Sequence, residues 1–277
     1  MKMIQAKNKK PYLIWASFVL AFFLSSCNPK NPVDFSPRIY KQILKAQDYI
    51  KKGKYQLAVD EYNKILNDMP AADLKVKIYY QLGDLHAIHL NQLTKGVLYF
   101  KKVLELTNDP VWLVKSQERL GEINYTFLKD YNAAKDVYKR LVDFKPKLNK
   151  YQLYEYRLAK ILLHYNEVEE LKKLVSEMLK NKSHEYYVDG YYILGQSYFQ
   201  NKDWNKAIGF FKEYLKREKR RDKIVNVKFL IGNCYETLEK LKNAYNIYYS
   251  ILGDYPNTKV IQDRLKSVYD RRIARKR

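Results

Sequence analysis

The sequence predicts an all-α protein, a solenoid of about six helical hairpins followed by a C-terminal capping helix. Three observations predict this fold class. Residues that break helices are scarce, with 9 Gly and 8 Pro among 277 residues. Three positions, two of them small and one usually aromatic, recur together with a period of about 37 residues. Apolar residues within each unit fall at i, i+3, i+4 and i+7, which is the spacing of one helix face.

Residues 1–26 have the pattern of a lipoprotein signal peptide. Four lysines and no acidic residue occupy the first ten positions, and an uncharged, mostly apolar run follows from Pro11 to Leu24. A helix needs about 20 apolar residues to span a bilayer, so this run is short for a membrane anchor. The letters LSSC that end it resemble the bacterial lipobox, which implies a lipid on Cys27. A signal peptide without a lipid, or an N-terminal anchor, is the alternative.

Residues 27–38 are expected to form a tether between the membrane and the folded domain. Pro29, Pro32 and Pro37 lie close together there, and proline at this density favours an extended, semi-rigid chain. The lipobox resemblance implies export and anchoring by several acyl chains. Asn28 after the cysteine, instead of Asp, suits sorting to the outer membrane of a Gram-negative cell. We therefore expect an exported, lipid-anchored protein of the outer membrane that faces the periplasm.

Residues 39–257 are predicted to form the array of hairpins, and the recurring positions define its units. The first small position, inside the first helix, is occupied by Ala46, Gly83, Gly121, Ala159, Gly195 and Gly232. The second, inside the second helix, is occupied by Ala58, Gly96, Ala134, Leu171, Ala207 and Ala244. The third lies four residues further on, at Tyr62, Phe100, Tyr138, Val175, Phe211 and Tyr248. In the fifth unit, Gly195 and Ala207 are expected to face each other where the two helices approach.

The predicted unit boundaries are residues 39–72, 76–110, 114–147, 152–183, 188–221 and 225–257. Second helices are expected to end before prolines, at Pro70, Pro110, Pro146 and Pro256. Units two and three each contain one extra residue, which we assign to the turn between their helices. Unit four departs most, because Leu171 replaces a small residue. Residues 258–277 are predicted to form a basic capping helix, with Val260, Ile261, Leu265 and Val268 facing inward.

The fifth unit resembles the tetratricopeptide repeat. Leu194-Gly195, Tyr198, Trp204, Ala207 and Phe211 stand where that family has leucine-glycine, tyrosine, an aromatic residue, alanine and phenylalanine. The resemblance implies a right-handed α-solenoid of TPR-like hairpins whose first helices line a concave groove. The period averages about 37 instead of 34. This longer period is similar to that of exported bacterial relatives, the BamD-type β-barrel assembly lipoproteins and the Tol-Pal-associated periplasmic proteins.

If the chain follows that fold, residues flanking the first small position line the groove. The candidates mix aromatic and polar side chains, which suits an extended or helical peptide, and they are Tyr80, Asp84, Glu118, Glu122, Tyr125, Tyr156, Lys160, Tyr192, Gln196, Phe199, Phe229 and Asn233. For each tyrosine, packing between helices is an equal alternative.

The net charge of +22 favours acidic partners. Basic residues cluster at 216–223 and 270–277, as a solvated loop and tail or as contacts for anionic lipid headgroups near the anchor. Nucleic acid is not an expected partner, because the signal peptide directs the chain out of the cytoplasm. We expect no metal and no cofactor. His86 and His89 share a helix face but have no third ligand at a suitable spacing, and His86 is expected to be packed.

The sequence contains no phosphate-binding loop and no nucleophile elbow, so we expect a non-enzymatic scaffold for protein–protein interaction. Residues 36–66 resemble the start of the BamD-type family, which implies a part in an outer-membrane protein assembly complex. The alternative is a periplasmic adaptor of the Tol-Pal-associated type, which would coordinate cell-wall synthesis or envelope constriction.

Overall fold

The computed structural model describes residues 37–275. The predicted signal peptide, Cys27, most of the tether and the last two residues of the predicted cap lie outside them. Within this range the chain forms helices and no strand, which confirms the predicted all-α class. The helices are α1 (Pro37–Lys51), α2 (Tyr55–Asn67), α3 (Ala72–Asp84), α4 (Leu93–Leu106), α5 (Pro110–Glu122), α6 (Tyr131–Asp143), α7 (Tyr151–His164), α8 (Val168–Lys180), α9 (Tyr187–Gln200), α10 (Trp204–Leu215), α11 (Arg221–Thr237), α12 (Leu241–Tyr249) and α13 (Thr258–Ala274).

The repeats are called hairpins from here on, and the word unit is kept for a larger division of the chain. The chain divides into two compact units, unit 1 up to Arg119 and unit 2 from Leu120 onward. In unit 1, α1 packs on α2 and α3 packs on α4. In unit 2, α7 packs on α8, α9 on α10 and α11 on α12, and α13 packs on α12. Each second helix of unit 2 also contacts the first helix of the following hairpin, so the hairpins stack in sequence order. The fourth hairpin, α7 and α8, packs like the others even though Leu171 takes the place of a small residue.

The three recurring positions are the core of every hairpin. The small residues at the first and second positions are buried throughout. The third position is buried almost completely in each hairpin, at Tyr62, Phe100, Tyr138, Val175, Phe211 and Tyr248. Burying one large aromatic side chain contributes roughly 1.5–3 kcal/mol, so this position is a main source of stability in each hairpin.

The closest neighbour of Gly195 is an aromatic ring that the sequence did not indicate. A Cβ atom added there would lie 2.5 Å from both Cδ1 and Cε1 of Phe211, so the nearest side chain to Gly195 is that ring. Gly232 stands in the same way against the ring of Tyr248, and Gly83 against that of Phe100. Because it has no side chain, the glycine leaves room for the aromatic ring at the third position of its own hairpin.

The extra residues of hairpins two and three do not lengthen the turns, as the sequence suggested. Instead, a π-helical turn follows α3 at Leu85–His89, and another follows α5 at Ile123–Leu128. A π-helical turn holds one more residue than an α-helical turn, so each insertion is absorbed at the end of the first helix. Downstream of it, the small and aromatic positions keep their places in the core.

Proline residues lie both after the ends of helices and at their first positions. Pro146 follows α6 as predicted, whereas Pro110 is the first residue of α5, where its missing N–H costs nothing. Pro37 likewise begins α1, inside the segment predicted as tether. Across residues 37–275 no helix combines the length and apolar character needed to cross a bilayer.

Asn257 caps the N-terminus of the capping helix α13, and its side chain accepts a hydrogen bond from the N–H of Val260 at 3.2 Å. Ile261, Leu265 and Val268 are buried against α11 and α12, as the sequence predicted, and Val260 is half-buried.

Candidate functional site

Two positions on the first helices of unit 2 carry the predicted groove residues. One lies three residues before the first small residue and the other lies one residue after it. The two are four residues apart and therefore on the same helix face. Across α7, α9 and α11 they form a stripe, which we call the groove stripe: Tyr156 and Lys160, Tyr192 and Gln196, Phe229 and Asn233. All are half-buried except Lys160, which is exposed.

In α9 the groove stripe is supported from behind by α10. The ring centroid of Tyr192 lies 5.4 Å from that of Tyr214 and 6.2 Å from that of Phe211. The side-chain amide of Gln196 donates a hydrogen bond to the Tyr192 hydroxyl at 2.8 Å. Tyr192 is therefore fixed on one side and open on the other, a geometry that suits contact with a ligand.

In α7 the stripe continues through a pair of stacked rings. Tyr156 lies parallel to Tyr186, with centroids 4.2 Å apart and an interplanar angle of 9°. The amine of Lys160 lies 6.0 Å from the centre of the Tyr156 ring. Burial and the nearby charge of Asp189 raise the pKa of Tyr156 to about 12, so its hydroxyl stays neutral at physiological pH and can donate or accept a hydrogen bond.

In α11 the stripe borders a polar pocket. Phe229 packs against Tyr255, with centroids 4.8 Å apart, and Asn233 accepts a hydrogen bond from the Tyr248 hydroxyl at 2.7 Å. The oxygen of this hydroxyl also lies 2.9 Å from Oε2 of Glu236, so its single proton is shared between the two acceptors. The pocket has a volume of about 470 Å³ and is lined by Asn233, Glu236, Thr237, Glu239, Arg264 and Arg271.

Three further predicted residues of unit 2 lie near the stripe. Tyr125 contacts the edges of Tyr131 and Tyr138, and the guanidinium of Arg157 lies 5.5 Å from its ring centre. Glu122 is half-buried one residue after Gly121. Phe199 packs on Trp204 at 5.2 Å and faces Phe211 at 6.5 Å. Phe199 thus joins the two helices of its own hairpin.

The predicted residues of unit 1 are engaged within that unit. Tyr80 is only 8% exposed, between Phe100 and Trp112, and burial raises its pKa to about 12. The carboxylate of Asp84 lies 3.0 Å from Nε of Arg119. Glu118 is half-buried on the same helix as Arg119. Tyr80 therefore contributes packing, which was the alternative considered for each tyrosine.

Sequence reasoning missed four residues beside the stripe. Arg157 donates to the Tyr138 hydroxyl at 2.5 Å, and Tyr186 provides the second ring of the stacked pair. Asp189 lies three residues before Tyr192, and burial raises its pKa against the opposing charge of Arg220. Glu236 lies three residues after Asn233. Extending the i, i+3 pattern by one turn would have found Asp189 and Glu236.

The basic C-terminal cluster is tied into the fold as far as the structure describes it. Arg271 lies 3.1 Å from Glu236 and also pairs with Glu239. Arg264 lies 3.4 Å from Glu236, and Arg275 lies 2.8 Å from Glu239. These arginines hold α13 on α11, so much of their charge is balanced inside the protein.

His86 is packed, as the sequence predicted, and His89 and Cys234 are engaged within the fold as well. Nδ1 of His86 lies 2.8 Å from Oε1 of Gln92, and the His86 ring stacks on Tyr99. His89 stacks on Tyr55, and burial lowers the pKa of both histidines. Cys234 is buried, which raises its pKa to about 12. In the part of the chain that is described, no three His, Cys, Asp or Glu side chains converge as metal ligands would.

Sequence comparison identifies the repeats. Residues 76–110 and 115–148 match one sequence model of the tetratricopeptide repeat, and residues 189–218 match a second. These segments belong to the second, third and fifth hairpins. The chain therefore contains tetratricopeptide repeats, a class of repeat that generally binds protein partners. No curated protein sequence matches the chain.

Solved structures with similar folds share little sequence with this chain. PilW, a widely conserved type IV pilus biogenesis factor, is 12% identical with a TM-score of 0.49, over 85% of this chain and 100% of that one. A tetratricopeptide repeat protein from Parabacteroides merdae is 17% identical with a TM-score of 0.37, over 92% and 91%. BtubC from P. vanneervenii is 15% identical with a TM-score of 0.46, over 80% and 95%.

Proposed function

We propose that this protein is a non-enzymatic scaffold that binds a peptide segment of a partner protein along the groove stripe. One observation carries the proposal: aromatic side chains occupy equivalent positions on three successive first helices, at Tyr156, Tyr192 and Phe229. Tyr192 and Phe229 are packed from behind and open in front, and a polar residue follows each of the three one turn later. Rings fixed in this way offer contact area at a low cost in conformational entropy, and the polar residues can bond to peptide groups.

The partner is proposed to be a component of the bacterial envelope. The lipobox-like sequence before Cys27 supports anchoring in the outer membrane, and the stretched repeat period supports kinship with BamD-type assembly lipoproteins. The scaffold would then belong to an outer-membrane protein assembly complex. The Tol-Pal-associated type of adaptor is the second candidate, supported by the same period.

The experiment is site-specific photo-crosslinking in cells. A photoreactive phenylalanine analogue replaces Gln196 in the stripe or, as a matched control, Gly209 on the exposed side of α10. Crosslinks at Gln196 that are absent at Gly209 support the groove. Barrel-insertion components among the captured proteins favour the first candidate, and peptidoglycan synthases or Tol-Pal proteins favour the second. Equal crosslinking at both positions would argue against a groove ligand.

The lipid anchor is tested separately. Cys27→Ala removes the thiol that would be acylated, so the precursor should remain unprocessed and lose its acyl chains. Membrane fractionation and intact-mass measurement report both effects. Unchanged processing and acylation in the variant would refute the anchor.

A further inference from the structure

The hairpins of unit 2 have two edges that differ in charge. Because each hairpin is antiparallel, its internal turn lies at one edge and the loop to the next hairpin lies at the other. The inter-repeat edge consists of residues 144–150, 181–186, 216–220 and 250–257. It contains eight Lys and Arg against three Asp and Glu. The turn edge, residues 129–130, 165–167, 201–203 and 238–240, contains three against four.

Direct contacts show that the inter-repeat loops follow one another along one edge. Lys147 from the first loop and His184 from the second both reach Glu155, at 3.7 and 3.1 Å. Arg217 from the third loop lies over the ring of Tyr191, at 4.5 Å, at the start of the helix that follows the second loop. Arg221, directly after the third loop, pairs with Asp254 in the fourth.

Internal ion pairs balance only part of this charge. Arg217 lies 2.8 Å from Glu213, which also pairs with Lys216, and Arg220 lies 2.7 Å from Glu218. One lysine in each of the first three loops makes no ion pair with any described residue and is exposed: Lys145, Lys182 and Lys219. The edge therefore presents a row of free ammonium groups, one for each hairpin step.

We propose that the inter-repeat edge of unit 2 docks onto an anionic phospholipid surface through Lys145, Lys182 and Lys219. Free lysines are hydrated, flexible point charges, and a row of them suits the diffuse charge of many headgroups better than one shaped anion. The lipid predicted on Cys27 would stand ten residues before Pro37, about 30 Å if extended, and would hold the start of the described chain near headgroups. The groove stripe borders this edge, because Tyr156 stacks on Tyr186 and Phe229 packs on Tyr255, but none of its six residues is one of the three lysines.

The proposal rests on the proposed anchor only for bringing the protein to a membrane, and the experiment supplies the membrane itself. Full-length protein is incorporated into vesicles of phosphatidylcholine alone or of phosphatidylcholine with phosphatidylglycerol. Lysines are acetylated briefly and quantified by mass spectrometry. Lys145, Lys182 and Lys219 should react about threefold or more slowly on the anionic vesicles, and this protection should disappear at high salt.

Lysines of the turn edge are the internal control. Lys129, Lys202 and Lys240 are exposed on the same hairpins and should react equally on both vesicles. The triple variant K145Q/K182Q/K219Q should lose the protection of neighbouring Lys147, whereas K129Q/K202Q/K240Q should keep it. Equal labelling on the two vesicle types, or equal protection at both edges, would overturn the proposal. Protection caused only by added polyglutamate or DNA would overturn it in favour of an acidic protein or nucleic acid.

This outcome is separate from that of the crosslinking experiment. A groove that binds a partner on a protein without anionic-vesicle protection would leave the scaffold intact and remove the lipid-docking edge.

Discussion

At Gly195 a hydrogen atom occupies the place where any other residue would put a carbon atom against the Phe211 ring. The separation of 2.5 Å that a Cβ would have is far below van der Waals contact, and the neighbouring atoms belong to a fully buried ring that cannot swing aside. This glycine therefore costs helix propensity but allows the two helices of the hairpin to approach.

Gly195→Ala should lower the free energy of unfolding by about 1–3 kcal/mol through overpacking. Gly209→Ala, in α10 of the same hairpin, is the matched control, because a Cβ there meets no atom within 4 Å. It should raise stability by about 0.5–1 kcal/mol through helix propensity. Urea unfolding followed by circular dichroism measures both, and equal effects of the two substitutions would contradict close packing of Gly195 against Phe211.

The tyrosines at the third position differ in what their hydroxyls contact. The Tyr248 hydroxyl bonds to Asn233 and Glu236, whereas the buried Tyr62 hydroxyl has no hydrogen-bond partner among the described residues. A buried polar group without a partner costs stability, and a satisfied one contributes.

Tyr62→Phe should therefore leave the free energy of unfolding unchanged or raise it. Tyr248→Phe should lower it by about 1 kcal/mol, because it removes the hydroxyl that bonds to half-buried Asn233 and to Glu236, although Glu236 keeps its contacts with Arg264 and Arg271. Thermal melts of the two variants compare the same chemical change at equivalent positions. A larger loss in Tyr62→Phe than in Tyr248→Phe would contradict an unpartnered hydroxyl at Tyr62.

Among the elements, the π-helical turns are the feature that separates hairpins two and three from the rest. Gly121 and Ala134 are one position further apart in the sequence than the corresponding pair of the fifth hairpin, Gly195 and Ala207. Because the extra residue is held locally, Gly121 still stands against the Tyr138 ring, with a Cβ separation of 3.0 Å.

Deleting exposed Thr126 should convert Ile123–Leu128 into an α-helical turn and leave a cooperative fold. Deleting Ser197 in α9 is the control, because that helix is regular and contains no inserted residue. There the following residues would rotate by about 100° and lose their core contacts. Circular dichroism and denaturant unfolding distinguish the results. A loss of cooperativity in both deletions would show that the π-helical turn cannot lose a residue without disturbing the core.

The helices could be predicted from the sequence because each buries one regular face, and the recurring small and aromatic positions mark that face. The π-helical turns could not, since one extra residue between the two small positions is equally compatible with a longer loop. Sequence spacing also does not show that Gly195 stands against the Phe211 ring, because it places residues on a face without giving the direction of a neighbouring ring.

The positions of the groove stripe could be predicted for the same reason as the helices. The burial of each side chain and its long-range contacts could not. Position alone placed Tyr80 and Tyr192 together, yet Tyr80 is buried because Trp112 of the next hairpin covers it. The ion pairs of α13 join residues far apart in sequence, such as Arg264 and Arg271 with Glu236. No local pattern signals contacts at that separation.

At the scale of the whole molecule, ion pairs make stability depend on pH. Basic neighbours lower the pKa of four described carboxyls: Glu61 beside Lys45, Asp203 beside Lys206, Glu213 beside Lys216 and Glu218 beside Arg220. A lowered pKa in the folded state means that folding favours the charged form. The resulting stabilisation is complete above about pH 4.5, the ordinary value for Glu, and is lost as the pH falls through the lower folded-state values.

The melting temperature should therefore be nearly constant between pH 7 and about pH 5 and fall steeply below about pH 4. Protonation also raises a net charge that is already +22, and the added repulsion acts in the same direction. Thermal melts in a pH series test this, with E213Q/E218Q as a control that should melt lower at pH 7 and change less on acidification. A melting temperature that rises on acidification would contradict the assignment.

The difference in charge between the two edges of unit 2 also affects how unit 2 orients near a charged surface. Between them, α9 alone has 14 residues and is about 21 Å long, which is more than twice the Debye length of about 8 Å at physiological salt. Near a charged surface, the field thus acts on one edge and hardly reaches the other. Unit 2 behaves as an electric dipole under torque, so it turns its lysine-bearing edge toward negative charge before any contact forms.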